Sequence, residues 1–132
     1  MIVVDTNVIS YLLIPGSLTS LAQQAARQDS WCAPLLWRSE LRNVLTIYIR
    51  QKGLPVTEAV ALMSIAERLL WGREFAVRSD NVLECVARSR RSAYDCEFVA
   101  LAMDLGIPLI TTDEPIIADF PKTAVHLRDY LR

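Results

Sequence analysis

The chain has 132 residues, of which 52% are hydrophobic and 22% charged, and its formal net charge is −1. This composition is typical of a globular protein, predicts a single domain over residues 1–132, and does not by itself indicate a nucleic-acid partner. No apolar run approaches the ~20 residues that cross a membrane, and the first residues lack the pattern of a secretory signal. The three cysteines are odd in number and widely spaced, which argues against disulfides or a thiolate zinc site and favours a cytoplasmic protein.

Short β-rich runs alternate with helical stretches, which predicts an α/β domain on a mostly parallel central sheet. Strands are predicted over residues 2–4, 31–33, 75–77, 107–112 and 125–127. Helices are predicted over residues 8–13, 18–28, 35–52, 57–70, 79–90 and 95–105. Gly53 and Gly106 follow two of these helices at the usual position of a helix-ending glycine, and Thr57 is predicted to cap the helix that it begins.

Two aspartates directly follow the best strand candidates. Asp5 ends the run "MIVVD", and Asp113 ends the run "PLITTD". A buried or half-buried carboxylate is costly, so its repetition after two apolar strands calls for a reason. Because ligands of an open parallel sheet bind beyond the carboxyl ends of its strands, both aspartates are expected at the same edge of the sheet.

Glu40 and Asp95 lie in predicted helices at positions where an apolar residue is expected. At helical spacing, Glu40 shares a row of the helix 35–52 with Leu36, Val44 and Ile47. Asp95 shares a row of the helix 95–105 with Phe98, Val99, Ala102 and Leu105. Glu40 is therefore predicted to lie in an apolar row of its helix, and Asp95 in a core-facing row. Taken singly, each of the four acids has an ordinary alternative: a helix cap for Asp5 or Asp95, an arginine partner for Glu40, and a turn for Asp113.

A shared site for all four acids has a clear chemical consequence. Four carboxylates packed together repel one another and require a cation. Oxygen ligands alone select Mg²⁺ or Mn²⁺, and such an ion can lower the pKa of a water molecule and balance charge on a phosphoryl oxygen. The set as a whole, more than any one acid, predicts a metal centre.

Three stretches of the chain resemble the PIN-domain family of metal-dependent ribonucleases, which includes the VapC-type toxins of toxin–antitoxin pairs. They are "VVDTNVISYLL", "SELRNVL" and "SAYDCEFVALAMDLGIPLITTD". The resemblance covers essentially the whole chain except residues 54–91, which carry no motif. It implies a PIN-like three-layer α/β fold with helices on both sides of the sheet.

The resemblance also implies roles for particular residues. Asp5 and Asp95 are similar to the family's direct metal ligands, and Glu40 and Asp113 to the acids that complete the catalytic pocket or bind a second ion. The polar residues Thr6, Asn7 and Thr112 are similar to those that support the site. The implied function is an endoribonuclease in which a water activated by Mg²⁺ or Mn²⁺ attacks an RNA phosphodiester. A small antitoxin protein, a homodimer and no membrane partner are implied as well.

Two other functions stay open beside this hypothesis. One is a PIN-like module that binds a protein without catalysis, for which a lost acid would be typical; none is lost here. The other is an RNA-processing nuclease that is not a toxin. Other classes fit less well, since a phosphatase with an aspartyl nucleophile needs a second acid where Asn7 stands, and a dinucleotide-binding turn needs glycines.

Further surfaces are suggested by composition. Arg88, Arg90 and Arg91 are the nearest basic cluster to Asp95 in the sequence, and they predict either an approach path for RNA or a solvated helix end. Core packing is predicted first for a second apolar row of the long helix, and contact with a partner chain second. That row is Trp37, Leu41, Leu45 and Tyr48. A structural role is expected for His126, at an edge or buried, and for Cys96 in the core.

Overall fold

The computed structural model describes residues 1–131, in which five parallel strands form one sheet flanked by eight helices. The strands are β1 (Ile2–Val4), β2 (Trp31–Pro34), β3 (Glu74–Phe75), β4 (Leu109–Thr111) and β5 (Ala124–His126). The helices are α1 (Thr6–Leu13), α2 (Thr19–Gln28), α3 (Trp37–Lys52), α4 (Val56–Leu69), α5 (Ser79–Ala87), α6 (Ala93–Leu105), α7 (Glu114–Asp119) and α8 (Leu127–Tyr130). The predicted α/β class with a central parallel sheet is confirmed. Arg132, the last residue of the predicted domain, lies outside the described residues.

The strand order, β3-β2-β1-β4-β5, places β1 at the centre of the sheet. The chain moves from β1 outward through β2 and β3, then returns to the other side of β1 with β4 and β5. Val3 pairs with Cys32 on one side and with Leu109 on the other. The direction of winding thus changes between β1 and β4, and the carboxyl ends of these two strands border the crevice in which such sheets bind ligands.

The central strands form the middle of the core. All residues of β1, β2 and β4 are buried, as the continuous apolar runs of buried parallel strands require. Helix α6 packs on β1, β2 and β4, and α5 packs on α6, while α1 contacts α2, α3 and α4 in a separate group. None of the helices in the described part of the chain has the length and hydropathy of a membrane span.

One face of α3 is part of this core. Trp37 and Leu41 are fully buried and Leu45 is 4% exposed, whereas Tyr48 is half-buried at the end of the row. Core packing is confirmed for Trp37, Leu41 and Leu45, and the alternative that these three residues face a partner chain is wrong because they are buried within the chain itself.

The other apolar row of α3 lies at the margin of the core. Leu36, Glu40 and Val44 are half-buried, and Leu36 and Val44 pack against the buried residues, whereas Ile47 is 46% exposed. Of the two apolar rows, the one with Trp37, Leu41 and Leu45 is buried, because burying one tryptophan and two leucines stabilises the fold more than burying a row that contains a carboxylate.

The remaining differences concern helix ends. Helix α4 begins at Val56 after Pro55, so the predicted cap at Thr57 is wrong. Helices α7 and α8 were not predicted, and β5 ends at His126, whose Nδ1 accepts a hydrogen bond from the Arg128 N–H at 3.1 Å. The structural role expected for His126 is thereby confirmed, at the first turn of α8.

The assignment of the two rows of α3 is testable by a matched pair of truncations. Leu41→Ala should lower the free energy of unfolding by about 2–5 kcal/mol, because it removes buried methyl groups and leaves a cavity. Ile47→Ala, at a surface position of the same helix, should change it by less than about 1 kcal/mol. Urea unfolding of both variants checks this, and equal losses would contradict the assignment.

Candidate active site

Asp5 is a nearly buried carboxylate at the carboxyl end of the central strand. Its side chain is 7% exposed and caps helix α1, with Oδ1 accepting a hydrogen bond from the Val8 N–H at 3.0 Å. The other oxygen, Oδ2, accepts a hydrogen bond from the hydroxyl of Thr111. The alternative in which Asp5 is a helix cap is correct, and it does not exclude a second role, because each carboxylate oxygen accepts one hydrogen bond here and has a further lone pair.

Thr111, the last residue of β4, joins two of the predicted acids. Its hydroxyl donates to Asp5 and accepts from the backbone N–H of Asp113 at 3.0 Å. Asp113 in turn caps α7, with Oδ1 accepting from the Ile116 N–H at 3.1 Å. The neighbouring hydroxyl of Thr112, which was predicted to support the site, is hydrogen bonded to the Tyr11 hydroxyl at 2.9 Å. The threonine that contacts Asp5 is therefore the one before it.

Glu40 lies in the first turn of α3, which follows β2, and reaches the same edge of the sheet. The hydroxyl of Thr6 donates to its Oε1 at 2.7 Å. The arginine partner considered for Glu40 is not Arg38, because the Nε of Arg38 pairs with Glu74 at 2.6 Å. Thr6 directly follows Asp5, so this hydrogen bond connects the first and second acids of the set.

Asp95 lies in the first turn of α6, which runs back across the sheet towards the start of β4. Ser92 caps this helix, with its hydroxyl accepting from the Asp95 N–H at 3.0 Å. The alternative in which Asp95 is itself the cap is wrong. Its half-buried side chain lies in the row of Phe98 and Val99, which are buried as predicted.

All four acids line one open cavity of about 410 Å³ at the carboxyl edge of the sheet. Thr6 and Asn7 also line it, in agreement with their predicted place beside the acids. The sequence did not predict the other polar contributions to this cavity. They come from Ser39, Asn43 and Tyr94. Asn43 lies three positions after Glu40 on α3, so helical spacing from the acid would have found it, whereas Ser39 lies directly before the acid and is not found in this way.

Each of the four acids belongs to a different helix and lies at the start of it. Asp5 and Asp113 are the caps of α1 and α7, and Glu40 and Asp95 are in the first turns of α3 and α6. Carboxylates are stabilised near helix N-termini by the unpaired N–H groups and the helix dipole. The convergence of helix starts thus offsets part of the repulsion among the acids without removing it.

The remaining repulsion and the loss of solvent are visible in the pKa values. Burial raises the pKa of Asp5 to about 6, with the charges of Asp113 and Glu40 contributing to the rise. Burial also raises the pKa of Glu40, and the charge of Asp95 adds to it. For Asp95, burial and then the charge of Asp113 raise the pKa. Asp5, Glu40 and Asp95 are therefore destabilised in their charged forms by burial and by neighbouring acids, which favours a compensating positive charge.

The donor chemistry fits a hard divalent ion. The cavity presents carboxylate, hydroxyl and amide oxygens, and neither a histidine nor a cysteine is among its lining residues in the described chain. Within residues 1–131, no three acids, cysteines or histidines are placed to hold one ion together. Mg²⁺ usually retains several waters and takes only one or two carboxylates directly, so a shared cavity satisfies its requirements without a preformed cluster.

The predicted arginine cluster does not form one surface beside the acids. Arg88 lines a different cavity, between α5 and α6. The Nε of Arg91 pairs with Asp119 at 3.1 Å, and the charge of Arg91 lowers the pKa of Asp95. Arg90 is exposed, and its backbone N–H donates to the same Asp119. Of these three arginines, Arg91 is the one whose charge partly offsets the raised pKa of Asp95.

A family model described as "PIN domain" matches residues 2–123 of the chain. The chain belongs to the PIN-domain family. No curated protein matches it. The matched range includes all four acids and the strands β1 to β4, and it ends directly before β5.

Solved structures agree with this fold. FitAcB from Neisseria gonorrhoeae is 17% identical with a TM-score of 0.77, and the match covers 97% of this chain and 99% of that one. PAE2754 from Pyrobaculum aerophilum is 18% identical with a TM-score of 0.77, over 98% of this chain and 92% of that one. FitAB bound to the IR36 DNA fragment is 17% identical with a TM-score of 0.72, over 96% and 95% of the two chains. At these identities the likeness establishes the PIN fold alone.

The raised pKa of Asp5 makes the stability of the metal-free PIN domain dependent on pH. Its pKa is 3.8 when unperturbed and about 6 in the fold, so between these values the folded state binds more protons than the unfolded state. The free energy of unfolding should therefore fall as the pH rises through this window, by up to about 3 kcal/mol. Asp5→Asn should reduce the pH dependence of the free energy of unfolding in this window, and should be more stable than the unmodified chain at pH 7.5. Urea unfolding in EDTA at several pH values checks it, with Glu84→Gln as the exposed control; an unchanged slope in Asp5→Asn contradicts it.

The contact of Thr111 with Asp5 is testable against its neighbour. Thr111→Val leaves a buried carboxylate oxygen without its donor and should cost about 1–3 kcal/mol of stability at pH 7.5. Thr112→Val removes only the half-buried hydrogen bond to Tyr11 and should cost about 1 kcal/mol or less. Thermal unfolding of the pair decides the matter, and a larger loss for Thr112→Val would contradict the assignment.

Proposed function

We propose that this PIN domain, a single domain over residues 1–132, is a metal-dependent endoribonuclease and the toxin of a toxin–antitoxin pair. The observation that carries the proposal is the meeting of Asp5, Glu40, Asp95 and Asp113 around one open cavity in a chain of the PIN family. A scaffold that only bound a protein would have no need to retain four mutually repelling acids at a ligand-binding edge. The non-catalytic alternative is therefore disfavoured.

Asp5 and Asp95 would hold Mg²⁺ or Mn²⁺, and Glu40 and Asp113 would complete the pocket or bind a second ion. When bound, the ion supplies positive charge and Lewis acidity beside the scissile phosphate. Thr111 fixes Asp5 against the sheet edge, so that its carboxylate does not have to be ordered when an ion enters.

Glu40 is the residue that we assign to accept a proton from the attacking water. Burial raises its pKa, which makes it a stronger base than an exposed glutamate. Thr6 donates to its Oε1 at 2.7 Å and so orients the carboxylate, and Oε2 is the oxygen assigned to the proton. Asn7 and Asn43, both exposed on the lining, provide amide groups for the sugar–phosphate backbone.

RNA as substrate and a small antitoxin as partner are supported by the resemblance of the three motif stretches to VapC-type toxins. The similar structures include FitAB bound to a DNA fragment, and the DNA is a property of that complex. A cytoplasmic homodimer belongs to the same proposal. An RNA-processing nuclease without an antitoxin would use the same site, and differs only in its cellular effect.

The role of Asp95 can be tested with a matched pair on helix α6. Asp95→Asn should lower Mn²⁺-dependent cleavage of single-stranded RNA by at least about 100-fold. Loss of a residue that only orients a metal ligand lowers activity by about 10–100-fold, and loss of the ligand itself should lower it further. Asp104→Asn makes the same change at the exposed far end of the helix and should cleave normally. Labelled oligonucleotides resolved on a gel measure both. Cleavage by Asp95→Asn at the rate of the unmodified chain would contradict the proposed site.

A growth experiment in cells distinguishes a toxin from other nucleases. Induction of the unmodified gene should arrest growth, and induction of Asp5→Ala should not. Cleavage in the test tube without arrest in the cell would contradict the toxin assignment and leave the nuclease in place.

A further inference from the structure

Tyr94 is an aromatic side chain presented at the rim of the acid cavity. It directly precedes Asp95 in the first turn of α6, lines the cavity, and is 63% exposed. A singly exposed ring is ordinary on a protein surface, but a ring that lines a ligand-binding cavity is placed to contact what enters it. The structure gives it no packing role comparable to that of the buried aromatic residues of the core.

Phe98 provides the contrast on the same helix. It lies four residues after Tyr94, lines the same cavity, and is 3% exposed. Residues four apart lie on the same face of a helix, one turn above the other. One ring therefore forms part of the cavity wall, and the other stands beyond it towards the solvent.

The charge of the cavity limits how RNA can be held there. Among its described lining residues are four acids but neither lysine nor arginine. The chain itself thus repels the phosphates, and an ion offsets this only locally. The lining residues must therefore bind RNA through interactions that do not depend on a positive charge, and stacking of a base on an aromatic ring, worth about 1–3 kcal/mol, is one of these.

Resting on the proposed nuclease function, we propose that Tyr94 stacks on the nucleobase next to the scissile phosphate and so restricts the site to unpaired RNA. A base in a duplex is already stacked on both faces and cannot offer one to a side chain, whereas a base in a loop or single strand can be splayed out. Stacking also tolerates every base, since each has a π-face. Tyr94 is in this view a positioning residue for the substrate.

The surroundings of Tyr94 favour a base over a protein partner. The exposed positions beside it on the chain are Ser92 and Ala93, and those across the cavity are Asn7 and Ser39. Among the other apolar residues that line the cavity, Phe98 and Ile116 are buried, and Leu36 and Val44 are half-buried. Tyr94 is thus the one exposed apolar side chain of the described lining, and a single ring is not the contiguous apolar patch that a protein interface needs. A nucleobase, in contrast, can stack on a single aromatic ring.

The test compares four proteins: the unmodified chain, Tyr94→Ala, Tyr94→Phe and Trp71→Ala. Trp71 is 76% exposed and does not line the cavity, so it controls for loss of an exposed aromatic ring. Cleavage in Mn²⁺ of a single-stranded RNA gives kcat and KM. Stopped-flow fluorescence of the same RNA carrying 2-aminopurine beside the cleavage site records stacking before cleavage, and a fully paired duplex is the second substrate.

Tyr94→Ala should raise KM for the single strand by about tenfold with kcat changed less than about twofold, and should lose the quenching of 2-aminopurine. Tyr94→Phe should restore both, because it keeps the ring, and Trp71→Ala should behave as the unmodified chain. The duplex should be cleaved poorly by all four proteins.

Three results would overturn the inference. If the unmodified chain cleaves and quenches but Tyr94→Ala does the same, stacking is wrong and the nuclease stands. If Tyr94→Ala changes the oligomeric state by light scattering while KM is unaltered, the ring contacts protein. If the unmodified chain neither cleaves nor quenches, the proposed function itself fails.

Discussion

The charged carboxylate of Asp5 is destabilised by its burial at the centre of the sheet edge. Neighbouring groups at this edge offset part of that destabilisation by donating hydrogen bonds to it. The central strand must be apolar to be buried, yet it ends in a carboxylate that is 7% exposed. One oxygen is held by the start of α1 and the other by Thr111 from the neighbouring strand. These two hydrogen bonds lower the pKa, but burial outweighs them and raises it to about 6. The protein therefore carries a destabilised acid at its centre, a pattern that is frequent where a site must bind a cation.

The other acids arrive at the same place for reasons of topology. The sheet reverses its winding between β1 and β4, and the helices that begin at this edge bring their N-termini together. Asp113 follows β4, Glu40 begins the helix after β2, and Asp95 begins the helix that returns to β4. Residues far apart in the chain thus face one cavity, and neighbouring acids add to the rise in pKa that burial causes for Asp5, Glu40 and Asp95.

Much of this arrangement could be predicted, because its signals are local. An apolar run that ends in an acid marks β1 with Asp5 and β4 with Asp113. The two faces of α3 could not be told apart, since both are apolar and only packing decides which is buried. Helix α7 was missed because Glu114-Pro115 is typical of a turn, although proline is also accepted in the first turn of a helix. The choice between Thr111 and Thr112 depended on one residue of register, and adjacent residues of a strand point to opposite faces. The common cavity depends on tertiary structure, and no spacing in the sequence measures it.

The central claim is that a divalent cation relieves the repulsion within this cavity, and proton release on binding tests it most directly. Calorimetric titration of the protein with Mn²⁺, in buffers of different ionisation enthalpy, gives the number of protons released for each ion bound. With a pKa of about 6, Asp5 is about half protonated at pH 6, so binding should release about half a proton from it alone. The release should become small at pH 8 and fall markedly in Asp5→Asn. Binding at pH 6 without proton release, or no binding at all, would contradict the account.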